Sequence, residues 1–558
     1  MSRNGYGVNT MSDNKLESST QMMMEMLSFY TKAFSNPMLT AAQMQALGTG
    51  YFNMMTGKSP IMPPKGDKRW RDPVWATNPF YGMMMQSYLL WCQELEKWLS
   101  GLGLDERSEM RAKLALSLLT DTVSPTNTLA GNPTAMKVTL DHGGKNLVQG
   151  FKNFMSDMKD NNGLPSTVDK SKFEVGKNLA TSEGQVIYRE EQLELIEYAP
   201  KTEEIFETPI FIVPPQINKF YVWDLAKGRS IVEYLTERGH RVFIVSWRNP
   251  SSDQSDWGLN SYIEALDRAT EVACEISKSD KLNMIGACSG GLTAAALQAY
   301  WGARKIDRAN TFTLLVAILD IEGGKNTSMG LFANIETLEI AKMFSKSKGV
   351  LEGKDLERAF AWLRPNDLIW AYWVNNYLCG NSAPTFDILF WNADTTNLPA
   401  TFHRDLIDLL SNGGFGDGPN WDVNGTTIDL KNVTCDTYIV GGETDHITPW
   451  DGCYLTTGLL GGNTEFVLSQ AGHIQSLINP PGNPRAKFMT NSGKHSTTEE
   501  FLEGAEQHSG SWWPHWMNWT EQRSGKKIKA PKKLGSAKHK PLCPSPGTYV
   551  SKKPEKAT

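Results

Sequence analysis

Paired cysteines are missing from this chain. Its 558 residues include 7 cysteines, an odd number without paired spacing. No disulfide framework is implied, and a reducing, cytoplasmic compartment is expected. No C-x-x-C pair or H-x-x-x-H spacing suggests a metal. A glycine-rich phosphate loop and internal repeats are also lacking. No uninterrupted apolar run is long enough to span a membrane, and no secretory leader is read at the start. Charge is nearly balanced: a net charge of -5 argues against a general nucleic-acid binder.

Against these absences one pentapeptide stands out. Gly286-Ala287-Cys288-Ser289-Gly290 is the pattern G-x-S-x-G with cysteine at the nucleophile position. The apolar run Leu282-Asn283-Met284-Ile285 before it reads as a buried strand, and Gly291 to Leu297 after it reads as a helix. A strand, a sharp turn of small residues and a helix are what a nucleophile elbow needs. Side chains at the flanking glycines would clash in so tight a turn, and the helix N-terminus places N–H groups beside the thiol. Alone, the pentapeptide is a weak signal that fits an inert buried cysteine better. Two downstream stretches favour chemistry. Thr437-Tyr438-Ile439-Val440 reads as a strand and opens into Gly441-Gly442-Glu443-Thr444-Asp445-His446. Thr464 to Leu468 reads as another and leads to Ala471-Gly472-His473-Ile474. The chain order is nucleophile, acid, histidine, the order of α/β-hydrolases. Cys288 is therefore the candidate nucleophile, His473 the general base and Asp445 its orienting acid. His446 reads as a structural hydrogen-bonding residue.

At 558 residues the chain exceeds one compact core. Helical patterns run through Phe80–Leu102 and Glu109–Leu119, and Met22–Phe34 forms a methionine-rich helical stretch. That stretch reads first as packing on the protein and second as a surface for an apolar phase. A polar stretch, Asp157–Lys172, marks a boundary. The expected organisation is a mostly helical N-terminal domain over 1–172, with 1–15 disordered, followed by an α/β-hydrolase fold catalytic domain over 173–524. Strand-like runs at Ile210–Val213, Val242–Val245 and Thr313–Leu319 imply a mostly parallel sheet covered on both faces. Residues 325–430 read as an inserted cap that could exclude water. The lysine- and proline-rich end, 525–558, reads as a solvated, partly disordered tail, with contact to an acidic partner or polymer surface as the other reading.

Longer strings carry a resemblance. Asp72-Pro73-Val74-Trp75 with Asn78-Pro79, Ser124-Pro125-Thr126-Asn127 and Phe173-Glu174-Val175-Gly176 occur in the first part. They are followed by Val213-Pro214-Pro215-Gln216-Ile217-Asn218-Lys219-Phe220-Tyr221 and Val245-Ser246-Trp247-Arg248-Asn249-Pro250. Further on stand Arg364-Pro365-Asn366-Asp367-Leu368-Ile369-Trp370, Asp445-His446-Ile447-Thr448-Pro449-Trp450 and Ser511-Trp512-Trp513-Pro514-His515-Trp516. In these the chain resembles the polyhydroxyalkanoate synthases, from about Asp67 onward. The resemblance implies polymerisation of (R)-3-hydroxyacyl-CoA into polyester with release of CoA, through a covalent thioester on the cysteine. It also implies a homodimer acting in the cytoplasm at the surface of a polyester granule. Ala287 before the cysteine, Gln216 after two prolines, and Trp391-Asn392-Ala393-Asp394-Thr395-Thr396 look like the class II form, which implies medium-length monomers. The family suggests a second role for Asp445, in activating the 3-hydroxyl of the acyl group.

The oxyanion hole is expected to use the backbone N–H of Ser289 and a second N–H from the loop after an early strand. Prolines cannot donate, and Ile217 is the candidate. No cofactor is expected beyond the CoA thioester as substrate, and Lys219 and Arg248 are candidate CoA contacts. The other cysteines, Cys92, Cys274, Cys379, Cys435, Cys453 and Cys543, read as structural, and Asp394 as a cap or turn residue. Trp512, Trp513, Trp516 and Trp519 are spaced as a helix face packed on the catalytic domain. Two rival readings are a Cys-His-Asp hydrolase or thioesterase of the same fold, and a granule-coating protein with a lapsed site.

Overall fold

The computed structural model describes residues 31–32, 36–319, 335–411, 414–416, 421–493 and 495–552. Residues 1–15, most of Met22–Phe34 and the first part of the expected cap lie outside them. The chain falls into two compact units. One is drawn from Met1–Asp169, Leu331–Glu339 and Arg358–Thr385, the other from Lys170–Gly330, Ile340–Glu357 and Phe386–Thr558. The stretch read as a cap is thus divided between the two units. No described helix is long and apolar enough to cross a membrane.

The first unit is helical, with helices Pro37–Met55, Pro79–Ser100, Glu106–Thr122, Pro133–Asp141 and Lys145–Asp160. Three begin at proline after an asparagine, and Asn36, Asn78 and Asn132 each accept a bond from a first-turn N–H. Proline at the first helical position wastes no donor, and the asparagine satisfies one that the helix cannot. Trp70, Trp75, Met54, Leu89 and Leu90 form a small core.

The second unit is built on an eleven-stranded sheet. In chain order its strands are β1 Gly184–Arg189, β2 Leu193–Tyr198, β3 Ile210–Val213, β4 Val242–Trp247, β5 Leu282–Ala287 and β6 Ala309–Leu315. They continue as β7 Asp436–Gly442, β8 Thr464–Ser469, β9 Lys487–Thr490, β10 Glu506–Ser509 and β11 Cys543–Pro544. The spatial order is β10-β9-β8-β7-β6-β5-β3-β4-β2-β1-β11. The centre, β4 through β8, is parallel, with antiparallel strands at both margins. β3, β4 and β5 are buried throughout, as expected of strands covered on both faces. A parallel sheet places the C-terminal ends of its strands, and the loops that follow them, along one edge.

The C-terminal segment differs from the solvated tail read in the sequence. Lys527–Lys529 pairs with Glu204–Phe206, and β11 pairs with β1. Glu194, fully buried on β2, accepts from the Thr548 and Tyr549 N–H groups, and Glu197 from Gly535 N–H. Lysine and proline dominate the segment's composition, but its order comes from backbone groups that composition does not report.

Candidate active site

β5 ends at Ala287, and Cys288 opens the helix Cys288–Ala303 with φ +49°. A non-glycine residue held in that region costs about 1–3 kcal/mol and persists only where its surroundings fix it. They do so here by close approach. A Cβ on Gly286 would lie 2.7 Å from the Gly291 Cα, and one on Gly290 would lie 2.3 Å from the Pro214 carbonyl oxygen. The turn therefore tolerates only glycine at these two places, and it leaves the Cys288 thiol partly exposed.

The acid and the histidine stand on loops that follow β7 and β8. Asp445 is buried, and its Oδ1 accepts from the N–H groups of Ile447 at 2.8 Å and Thr448 at 3.0 Å. Oδ2 accepts from the Thr448 hydroxyl at 2.7 Å and from His473 Nδ1 at 2.6 Å. His473 opens the short helix His473–Leu477. Trp512 and Trp513 fix that helix, since their indole N–H groups donate to the carbonyls of Ser476 and Leu477 at 2.9 and 3.2 Å. Trp516 donates to Thr313 Oγ1 on β6. The tryptophan face thus packs as the sequence implies, and it also supports the histidine.

Burial by itself lowers the His473 imidazole. Hydrogen bonds to Asp445 and to Cys288, together with their charges, outweigh it and raise the group to about 10. Asp445 is held below the usual carboxylate range: burial raises it, but the bonds from His473 and Thr448 prevail. The structure thus bonds His473 to Asp445 and brings Cys288 near enough to act on the imidazole. Burial pushes all six other thiols up, Cys274 to about 11, Cys435 to about 12 and Cys453 well above its usual value. Such thiols form thiolate less readily.

Ser289 and the loop after β3 meet beside Cys288. Ser289 N–H sits in the first turn of the helix, where N–H groups have no intrahelical acceptor. The Gln216 N–H donates to Ser289 Oγ at 3.2 Å, and the Gln216 amide to Thr293 Oγ1 at 3.0 Å. Trp247 Nε1 holds the Pro214 carbonyl at 2.8 Å. Pro214 and Pro215 have no N–H and that of Gln216 is engaged, so Ile217 offers the next donor of the loop.

Of the two candidate CoA contacts, Lys219 is engaged within the fold. It is buried, its Nζ donates to the Val550 carbonyl at 2.6 Å, and burial lowers its ammonium against the pull of Asp394. Arg248 differs. Its guanidinium lies over the Trp257 ring at 5.9 Å, and its Nε is buried without a hydrogen-bond partner among the described residues. Asp394 accepts from the Tyr221 hydroxyl, a structural contact. Thr448 was not singled out from sequence, although it bonds both Asp445 and His473. Its place three residues after the acid is the signal that could have found it. Among the described residues no group of side chains is placed to hold a metal.

A thiol at a strained strand-to-helix turn, with acid and histidine on later loops of a mostly parallel sheet, defines an α/β-hydrolase fold. Residues 209–480 match the family model described as alpha/beta hydrolase fold, and residues 66–235 match the N-terminus of poly-beta-hydroxybutyrate polymerase (PhaC). The chain is 46% identical to poly(3-hydroxyalkanoate) polymerase 1 of Ectopseudomonas oleovorans, over 93% of this chain and 92% of that one. It is 45% identical to polymerase 2 of the same organism, over 93% and 92%. It is 37% identical to the poly(3-hydroxyalkanoate) polymerase subunit PhaC of Cupriavidus necator, over 90% and 85%. The chain belongs to the poly(3-hydroxyalkanoate) polymerase family.

Proposed function

We propose that this protein polymerises (R)-3-hydroxyacyl-CoA of medium chain length into polyester, through a thioester on Cys288. The observation that carries the reading is the bond between His473 and Asp445 beside Cys288, with the thiol at the strained turn. His473 takes the thiol proton, and the thiolate attacks the acyl carbonyl of the substrate. The N–H groups of Ser289 and Ile217 receive the oxygen as it gains charge. The tetrahedral adduct collapses with cleavage of the bond to the CoA sulfur, which takes the proton back from His473 and leaves as the thiol. One thioester has replaced another at nearly equal free energy, so the acyl group stays activated. A 3-hydroxyl then attacks the Cys288 thioester and gives its proton to His473; the bond to the Cys288 sulfur breaks, the sulfur regains that proton, and the oxygen ester formed makes this the downhill step that lengthens the chain. Asp445 holds Nδ1 as the donor, and so turns Nε2 toward the thiol. Arg248, whose Nε has no hydrogen-bond partner among the described residues, is the candidate to meet a phosphate of CoA. In this reading the enzyme needs no cofactor, works as a homodimer, and sits in the cytoplasm at the surface of the granule it makes.

The test is CoA release with product analysis, using (R)-3-hydroxyacyl-CoA of short and medium length beside Cys288→Ala. Polyester from the medium-length substrate, abolished in the variant, is the expected result. Polyester from short substrate alone overturns the monomer length. Free hydroxy acid in place of polymer makes the protein a hydrolase, and full activity in Cys288→Ala removes the nucleophile.

A further inference from the structure

The stretch Trp391-Asn392-Ala393-Asp394-Thr395-Thr396 carries no group of the proposed chemistry, yet it is fastened along the loop that does. Trp391 Nε1 donates to the Lys219 carbonyl at 2.7 Å, and the Tyr221 hydroxyl donates to Asp394 at 2.9 Å. Thr396 Oγ1 donates to the Gln216 carbonyl at 2.8 Å. Trp391, Thr396, Gln216, Lys219 and Tyr221 are all buried. The next residue fixes the end of the stretch. Asn397 N–H donates to Asn249 Oδ1 at 2.9 Å, and its amide donates to the Pro250 carbonyl at 3.1 Å.

One of these bonds differs in kind from the others. The Gln216 carbonyl and the Ile217 N–H belong to the same peptide group, which is planar, and in its trans form the two point in opposite directions. A donor that holds the carbonyl oxygen therefore aims the N–H, and it also polarises it, because hydrogen bonds through one peptide strengthen each other. The preceding peptide is fixed as well, by the Gln216 N–H bond to Ser289 Oγ.

We propose that Thr396 is a positioning residue: its hydroxyl, by holding the Gln216 carbonyl, directs the Ile217 N–H at the acyl oxygen during Cys288 acylation. The proposal rests on the oxyanion role given to Ile217 above. Thr396 touches no reacting atom, and its effect passes through one peptide plane.

Thr396→Val keeps the side-chain shape and removes the hydroxyl, and Thr396→Ser keeps the hydroxyl. Both are compared with wild type in the burst of CoA release and in steady-state kcat and KM. Thr396→Val should lower the burst rate and kcat about tenfold, short of the roughly 10²–10³ lost when an oxyanion donor is deleted. KM should change little, and Thr396→Ser should restore kcat to within about twofold of wild type. Thr396→Ala serves if the valine variant does not fold. Trp391→Phe breaks the neighbouring bond to Lys219 and leaves the Gln216–Ile217 peptide alone, so it should lower the unfolding midpoint with kcat intact. Unchanged kcat in Thr396→Val, a serine variant as slow as valine, or an equal loss in Trp391→Phe would each overturn the proposal. Those results, with active wild type and dead Cys288→Ala, leave the proposed function standing. Inactive wild type or active Cys288→Ala would sink that function instead.

Discussion

Replacing Asp445 with asparagine tests whether the acid works through His473. The carboxylate takes four bonds, two backbone N–H groups on Oδ1 and the Thr448 hydroxyl with His473 Nδ1 on Oδ2. Asparagine supplies one oxygen and one NH₂. With its oxygen on the backbone donors, its NH₂ meets His473 Nδ1. The imidazole then either loses the bond or turns Nδ1 into an acceptor, which puts the proton on Nε2 and blocks transfer from Cys288. A hydrogen bond to a charged group contributes about 1.5–3 kcal/mol, worth about 10- to 150-fold in rate. The wrong tautomer adds to this, so acylation should slow by about 10²–10³. His473 should also fall from about 10, because burial then acts with less opposition. Two assays read this directly: the CoA burst in a single turnover, and the pH profile of Cys288 alkylation by iodoacetamide. A burst at the wild-type rate with loss of elongation alone would refute the reasoning. It would place Asp445 at the 3-hydroxyl, the second role that the family resemblance implies.

Two further outcomes are expected. Arg248→Gln should raise KM for acyl-CoA about tenfold with little change in kcat, and should flatten the rise of KM with salt; an unchanged KM would exclude Arg248 as a phosphate contact. His240→Phe should be more stable than wild type in acid. Burial first, then Arg238 and Lys527, lower the His240 imidazole to about 3 from an ordinary value of 6.5, and neither ring nitrogen has a partner among the described residues. The folded state therefore holds fewer protons than the unfolded one below pH 6.5. Stability is full above that pH and is lost as pH falls toward 3, by about 2 kcal/mol at pH 5. The ring stacks on Phe206, where phenylalanine fits. Urea midpoints of the two proteins at pH 7.5 and 5 check this, and an identical drop in both would refute it.

The parallel centre of the sheet was legible because its strands are buried on both faces and read as plain apolar runs, as in Ile210-Phe211-Ile212-Val213. Gly286 and Gly290 were legible because close approach leaves glycine no substitute. One run was read too far: Thr313–Leu319 looked like one strand, but β6 stops at Leu315 and Val316 turns to φ +44°. The margins of the sheet gave no such signal. β1 and β2 were not read at all, because Glu194 and Glu197 interrupt the apolar pattern of a strand that is buried at every position.

Those two acids explain why the C-terminal segment was misread as well. Each is a buried charge, tolerable only when paired and bonded. Glu194 meets Arg189, and Glu197 meets Arg241. Their remaining lone pairs accept from Gly535, Thr548 and Tyr549. The feature that hides the strand is thus the one that orders the tail, and neither could be read without the other. The ordered tail in turn brings the Val550 carbonyl to Lys219 Nζ. Lys219, a candidate CoA contact in the sequence, is thereby tied to residues far along the chain, while Thr396 holds the Gln216 carbonyl of the same loop. Local pattern singles out Cys288, Asp445 and His473 because each lies in a short stretch with its own signal. The loop after β3 depends on partners about 180 to 330 residues away, and single-chain periodicity carries no trace of them.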